Sequence, residues 1–178
     1  MHAFWTNGFR GVSFDQLVDE TGASRHSLYQ EFGDKRRLLA RALEHYENTV
    51  LRELFKELRQ DDASLEAIER FFRRMSRVAR PGSRRGPGCL MCNSHIELES
   101  DVEIRKQIES FFRRLQRVFL ESLERAKRMG DLDHDANPLD LSRFLVGLVR
   151  GVSANARSRS SDADYTAYVE VSMSILRR

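Results

Sequence analysis

Between residues 13 and 35 the chain carries three helix N-caps, Ser13, Ser24 and Asp34, set apart by two glycines, Gly22 and Gly33. Ser13-Phe14-Asp15-Gln16 has the form of a capping box, in which the serine side chain accepts from the amide three residues on and the glutamine side chain returns to the cap amide. The helix it starts bears Phe14, Leu17 and Val18 on one side and stops at Thr21-Gly22, where glycine can leave the helix in a left-handed conformation. Ser24 caps a second helix of about two turns, marked by the i, i+4 pair Leu28 and Phe32 and closed by Gly33. Two short helices across a glycine turn make a helix-turn-helix, whose second helix offers its exposed face to a major groove.

The rest of the chain continues in helical period. From Asp34 to about Arg59, Leu38, Leu39, Ala42, Leu43, Tyr46, Val50, Leu51, Leu54, Phe55 and Leu58 recur at 3–4 spacing. Such a helix is on the order of 37 Å long, enough to join a small head to a distant body. Periodicity resumes over Leu65–Ala79, and Pro81-Gly82-Ser83 with Gly86-Pro87-Gly88 marks a loop. A short apolar helix follows over Cys89–Leu98, then a long amphipathic one from about Val102 to Met129, ended by Gly130. Asn137-Pro138 opens another helix, Ser158–Ser161 interrupts, and a last helix runs over about Asp162–Leu176. With no strand alternation and no internal repeat, the fold expected is all-α, with a head over residues 1–46 and a larger helical body over 47–178.

Several classes drop out. No apolar run approaches the ~20 residues that span a bilayer, and the start Met1-His2-Ala3-Phe4-Trp5 lacks the basic and apolar regions of a signal peptide. A cytoplasmic protein without a membrane partner is therefore expected. Two cysteines are too few for a disulfide scaffold. A formal net charge of +3 permits an anionic partner without demanding one, and residues 1–46 hold six basic and six acidic side chains. Any nucleic-acid contact must then come from where a few cations and hydroxyls are placed, not from bulk charge.

The run Gly8-Phe9-Arg10-Gly11-Val12-Ser13-Phe14, then Thr21-Gly22-Ala23-Ser24, then Ser27-Leu28-Tyr29-Gln30-Glu31-Phe32-Gly33-Asp34-Lys35, resembles the DNA-binding segment of TetR-family regulators. Gly88-Cys89-Leu90-Met91 ahead of an acidic helix is similar to the ligand-domain pattern of one branch of that family. The resemblance implies a homodimeric transcriptional regulator, a repressor released from a palindromic double-stranded operator by a small-molecule effector or by thiol modification. It implies phosphate contacts from Ser13, Tyr29 and Lys35, and groove-facing roles for Arg25, His26, Ser27 and Gln30. The chemistry agrees: Ser13 and Lys35 stand at helix N-termini, where free amides welcome an anion, while arginine pairs with guanine and glutamine with adenine. Ser24 is read first as a cap. Of the family's first helix, some four turns long, only Ala3, Phe4 and Trp5 stand here, and such shortening would strip cover from Phe14 and Leu17.

In the body, Cys89, Cys92 and His95 fall at i, i+3 and i+6. Three readings stay open: small buried hydrophobes, a thiol sensor at a helix N-terminus, or a metal site without an evident fourth ligand, and neither a metal nor a cofactor is expected. Arg70, Arg73, Arg74, Arg77, Arg80, Arg84 and Arg85 read as a solvated helix face running into a loop. Phe55, Phe72, Met75, Phe112, Phe119 and Phe144 read as core, with Phe112 and Phe144 also candidates to line an effector cavity. Leu148, Val149, Val152, Val169 and Met173 are the expected dimer interface, with Gly147 and Gly151 allowing close approach. Rival readings are a helical interaction module and a thiol-dependent enzyme, the latter needing an acid, base and nucleophile set that the sequence does not display outside Cys89–His95.

Overall fold

The computed structural model describes residues 1–60, 62–79, 86–157 and 162–177, and every regular element among them is helical. The sequence loop through Pro81 and the break at residues 158–161 lie outside the described residues, as do Arg80, Arg84 and Arg85. Ten α-helices follow in order: α1 His2–Asn7, α2 Phe14–Thr21, α3 Arg25–Phe32, α4 Lys35–Tyr46, α5 Arg52–Phe55, α6 Leu65–Ala79, α7 Leu90–Glu97, α8 Val102–Met129, α9 Pro138–Arg157 and α10 Asp162–Leu176.

The caps form as their residue types dictate. Ser13 Oγ accepts from the Gln16 amide at 3.1 Å while Gln16 Oε1 accepts from the Ser13 amide at 2.8 Å, a complete capping box. Ser24 Oγ accepts from Ser27 N at 3.0 Å, and Asp34 Oδ1 from Arg37 N at 2.7 Å. Gly22 leaves α2 at φ 69°, in the left-handed region where a side chain would be strained. Although α1 has only six residues, it buries Ala3 and Phe4, and Leu17 beneath it stays buried. Phe14 is half-buried, its ring stacked on Tyr29 with centroids 4.3 Å apart.

The long connecting helix expected from Asp34 to Arg59 is not uniform. Between α4 and α5 lies a π-helical turn, Glu47–Leu51, and α5 runs on into a 3₁₀ turn, Glu57–Arg59. A π turn adds one residue to a helical turn and so shifts the phase of everything after it. Apolar residues at both Val50 and Leu51 hide that shift in the sequence; Leu51 is buried and Val50 half-buried. The connector is fastened to α8 along its length. Gln107 Nε2 donates to the Ala40 carbonyl at 3.0 Å, Arg114 holds Glu47 through both carboxylate oxygens at 2.7 Å, and Arg125 Nη2 donates to the Leu58 carbonyl at 3.0 Å.

Phe55, Phe71, Phe72, Phe111, Phe112 and Phe119 interlock edge-to-face and stacked across α5, α6 and α8. Aromatic pairs of this kind add to plain area burial. α9 packs against α8 and α10 against α6. Arg70, Arg73 and Arg74 of α6 are not a free cationic face. Arg70 and Arg74 both reach Glu57, while Arg73 reaches Glu69, which also binds Arg177.

Two expectations for the body need correcting. Leu148, Val149, Val152, Val169 and Met173 are all buried in the chain's own core, between 0% and 8% exposed, so they are not free to meet a partner. Phe144, expected in the core, is 41% exposed. For Phe144 and the three residues Leu148, Val149 and Val152 the cause is the same. α9 is apolar around much of its circumference, and its buried stripe runs Ser142, Leu145, Leu148, Val149, Val152, Ser153 and Ala156, leaving Phe144 on the far side.

Candidate functional site

In α3 only Leu28 is buried; Arg25, His26, Ser27, Tyr29 and Gln30 all point to solvent. A helix fixed by buried Leu28 and half-buried Phe32 and presenting polar groups elsewhere suits insertion into a groove. Its neighbours tie several of those groups down. Arg25 bonds Asp15 on α2, and its guanidinium carbon lies 5.6 Å from the centre of the Phe14 ring that Tyr29 stacks upon. Arg25, Phe14 and Tyr29 thus form one packed unit linking α2 to α3. Ser24 and Ser27 share a hydroxyl contact of 2.8 Å, so Ser24 is engaged as a cap.

Ser13 lies exposed at the N-terminus of α2, its oxygen spent on the cap bond. Lys35, at the start of α4, donates from Nζ to the Val12 carbonyl at 2.7 Å, with the ammonium 4.4 Å from the Phe9 ring centre. That lysine braces the turn ahead of α2, and an incoming phosphate would share its remaining N–H donors.

The head meets the body through α7. Glu97, at its C-terminal end, accepts through Oε2 from the Phe9 amide at 2.6 Å and from the Arg10 amide at 3.2 Å. The carboxylate thus caps the turn leaving α1, and Gly8, at φ 76°, is required there: a Cβ would stand 2.2 Å from Glu97 Oε1. At the other end of α7, Trp5 Nε1 donates to the Gly88 carbonyl at 2.8 Å. The Trp5 ring stands edge-on to Tyr46 at 5.1 Å. Glu97, Trp5 and Tyr46 had no signal in the sequence beyond their residue types, because partners such as Phe9 and Glu97 are 88 positions apart.

Tyr46 also faces a small apolar cavity of about 20 Å³ among α4, α5, α6, α8 and α9, whose wall includes Leu54, Phe55, Phe71, Cys89, Phe111 and Val149. That is room for roughly one water-sized molecule. Burial and the adjacent Cys89 push the Tyr46 phenol well above its ordinary range, so it stays a hydrogen-bond donor. Hydrogen bonding from the Cys92 side chain pulls the Cys89 thiol down in spite of its burial, and the same contact pushes Cys92 up. His95 is not brought to the pair; it is half-buried, its ring 6.1 Å from that of Phe112. Among the described residues no three His, Cys, Asp or Glu side chains cluster as metal ligands would. Phe112 is buried but outside the cavity lining, with Arg150 above its ring at 4.2 Å, and Phe144 is likewise absent from the lining.

The same architecture is found in known proteins. Residues 1–42 match the model of bacterial regulatory proteins of the tetR family, and residues 64–171 match that of the tetracyclin repressor-like C-terminal domain. The uncharacterised HTH-type transcriptional regulator YezE of Bacillus subtilis is 28% identical over 99% of this chain and 91% of its own length. The HTH-type transcriptional repressor ComR of Escherichia coli is 27% identical over 90% of this chain and 77% of its own. A cysteine mutant of the regulator CifR, solved with 26-bp double-strand operator DNA, superposes with a TM-score of 0.82 at 27% identity, covering 97% of this chain and 90% of that one. With a DNA-reading head and a helical body each matching in place, this chain belongs to the tetR family of bacterial regulatory proteins and is a transcriptional regulator.

Proposed function

We propose that the protein is a homodimeric repressor whose head, residues 1–46, binds a palindromic operator and whose body, residues 47–178, releases it on sensing a small effector or a change at its thiols. The observation that carries this reading is α3 itself, whose one buried side chain is Leu28 and which presents Arg25, His26, Ser27, Tyr29 and Gln30 outward. Arg25 and Gln30 are the base readers, able to grip guanine and adenine through paired hydrogen bonds. Ser13, Tyr29 and Lys35 flank them as phosphate contacts.

Dimerisation is assigned to the exposed apolar face of α9 and α10. Phe144, Tyr168, Val171 and Ile175 are 41–59% exposed, and a Cβ at Gly147 or Gly151 would meet nothing within 4 Å among the described residues. An apolar strip with open glycines beside it suits close packing against its own copy, which sets two α3 helices about one DNA turn apart. The effector site is the cavity beside Tyr46, which must widen to admit anything larger than water. An uncharged, largely apolar compound suits it, since the lining offers one phenol and one thiol as polar groups. By linkage, such a compound releases DNA only if it binds the widened, operator-incompetent state more tightly. Acting on chromosomal DNA, the protein works in the cytoplasm, and among the described residues no helix is long and apolar enough to cross a membrane.

The test is competition in a gel-shift assay between a palindrome from the gene's own upstream region and the same bases scrambled. Preference for the palindrome by at least ~1000-fold, typical of specific over non-specific binding, is expected. Equal binding to both would refute operator recognition and favour a plain interaction module.

A further inference from the structure

The first turn of α7 sets two thiols against each other at the cavity wall. Cys89 is the N-cap and Cys92 the third helical residue, both free and buried. An N-cap side chain points toward the third residue's amide. Here both positions carry sulfur, and Cys89 lines the same cavity wall as Tyr46. The pair is asymmetric, since hydrogen bonding from Cys92 and from the Cys92 and Met91 amides favours Cys89 as thiolate while Cys92 is held as thiol. One sulfur is equipped to attack and the other to resolve. Cys89 alone of the two lines the cavity, whose volume of about 20 Å³ must widen a little even for hydrogen peroxide and whose apolar wall disfavours charged reagents.

We propose that Cys89 and Cys92 form a dithiol switch, in which hydrogen peroxide entering the cavity closes a disulfide at the N-terminus of α7 that loosens the operator-reading head. This rests on the repressor reading above. The Cys89 thiolate attacks one peroxide oxygen; an S–O bond forms, the O–O bond breaks, and the departing hydroxide takes up a proton to leave as water. Cys92 then gives up its proton and attacks the Cys89 sulfur, forming S–S and breaking S–O, and the second hydroxide leaves as water with that proton. Two thiols are oxidised and one peroxide is reduced to two waters.

Closure locks the turn, because Cys89 stands outside the helix at φ −107° and ψ 126° and a disulfide fixes its Cβ about 3.8 Å from that of Cys92. The same turn is pinned at both sides: the Cys89 amide donates to Ser153 Oγ at 2.8 Å, and the Gly88 carbonyl accepts from Trp5 at 2.8 Å. A pull on it therefore reaches α1 directly. Trp5 is the chain's single tryptophan, so its emission reports that contact without DNA present.

The experiment titrates the reduced full-length protein with hydrogen peroxide and reads three quantities: the mass of the peptide spanning residues 89–92, Trp5 emission, and anisotropy of the labelled upstream palindrome. The peptide is expected to lose two hydrogens, Trp5 emission to shift at the same peroxide concentration, and operator affinity to fall on the order of tenfold. Dithiothreitol reverses all three changes, and glutathione disulfide, large and charged, produces none of them. Cys92→Ser is expected to stop at the sulfenic acid on Cys89, read as the gain of one oxygen in the mass of the same peptide; if that variant does not fold, the wild-type titration decides alone. The proposal is overturned if the peptide keeps both hydrogens, if glutathione disulfide oxidises it as readily as peroxide, or if the disulfide forms with Trp5 emission unchanged. A disulfide that shifts Trp5 but leaves operator affinity intact also overturns it. A reduced protein that ignores the palindrome refutes the repressor reading instead, while peptide mass and Trp5 emission still judge the dithiol.

Discussion

Replacing Glu97 with alanine removes the one carboxylate that holds the turn after α1 onto the body. The bond to the Phe9 amide, 2.6 Å long and partly buried, is charge-assisted, and bonds of that kind contribute about 1.5 kcal/mol at the low end. The bond to the Arg10 amide is longer at 3.2 Å and exposed, which limits it to about 0.5 kcal/mol. The loss expected for Glu97→Ala is therefore about 2 kcal/mol, or roughly 4–8 °C in Tm for a chain of this size. Glu97→Gln keeps an acceptor at the same reach without the charge and should lose about half as much. Gly8 supplies an internal control. A methyl there would sit 2.2 Å from Glu97 Oε1 and displace the carboxylate, so Gly8→Ala already breaks the clamp. Combined with Glu97→Ala, it should add only the strain of an alanine at φ 76°, making the double variant about 2 kcal/mol more stable than the sum of the single losses. Thermal unfolding followed by far-ultraviolet circular dichroism measures all four proteins. Strict additivity, or a Glu97→Ala variant within about 0.5 kcal/mol of the parent, would refute the clamp.

Arg25→Ala and Gln30→Ala should each weaken the palindrome on the order of tenfold or more while leaving binding to scrambled DNA nearly unchanged, as read by anisotropy at fixed salt. Phe144→Asp with Ile175→Asp should convert the dimer to a folded monomer in light scattering, since both side chains are exposed in the single chain; a dimer that persists would place the interface elsewhere. Hydrogen bonding from Arg70, then Arg74, holds the Glu57 carboxyl below its usual range. The stability this supplies is fully present above the ordinary glutamate pKa and is lost as pH falls through the lower folded value. Glu57→Gln should therefore lower the urea midpoint at neutral pH and flatten its fall below the ordinary glutamate range, whereas an unchanged acid limb would rule the pairing out as its source.

The head could be read from the sequence because its determinants are local. Ser13 with Gln16, Ser24 with Ser27, and Asp34 with Arg37 each close within three residues, and side-chain type alone specifies the bond. The body was less legible where helices are apolar on more than one side. α10 buries Tyr165, Val169 and Met173 and exposes Tyr168, Val171 and Ile175, two apolar sets on different faces of one helix. Periodicity cannot rank such faces, and only packing against α6 and α9 decides which of them is left outside. The same limit assigned Phe144 to the core. Contacts between head and body were illegible for another reason: Trp5 with Gly88 and Glu97 with Phe9 join residues more than 80 positions apart, and no local rule couples them.

The π turn at Glu47–Leu51 takes up one extra residue in a single wide turn, so the helices before and after it keep their places while the side chains within it are dealt out differently around the axis. From this one turn Glu47 reaches Arg114 of α8 and Leu51 reaches the cavity wall. Deleting a single residue from 47–51 would let the connector run as plain α-helix and would put one of those two contacts out of register. The turn is therefore where a change of one residue in length could retune the link between cavity and connector while leaving the reading residues of α3 as they are.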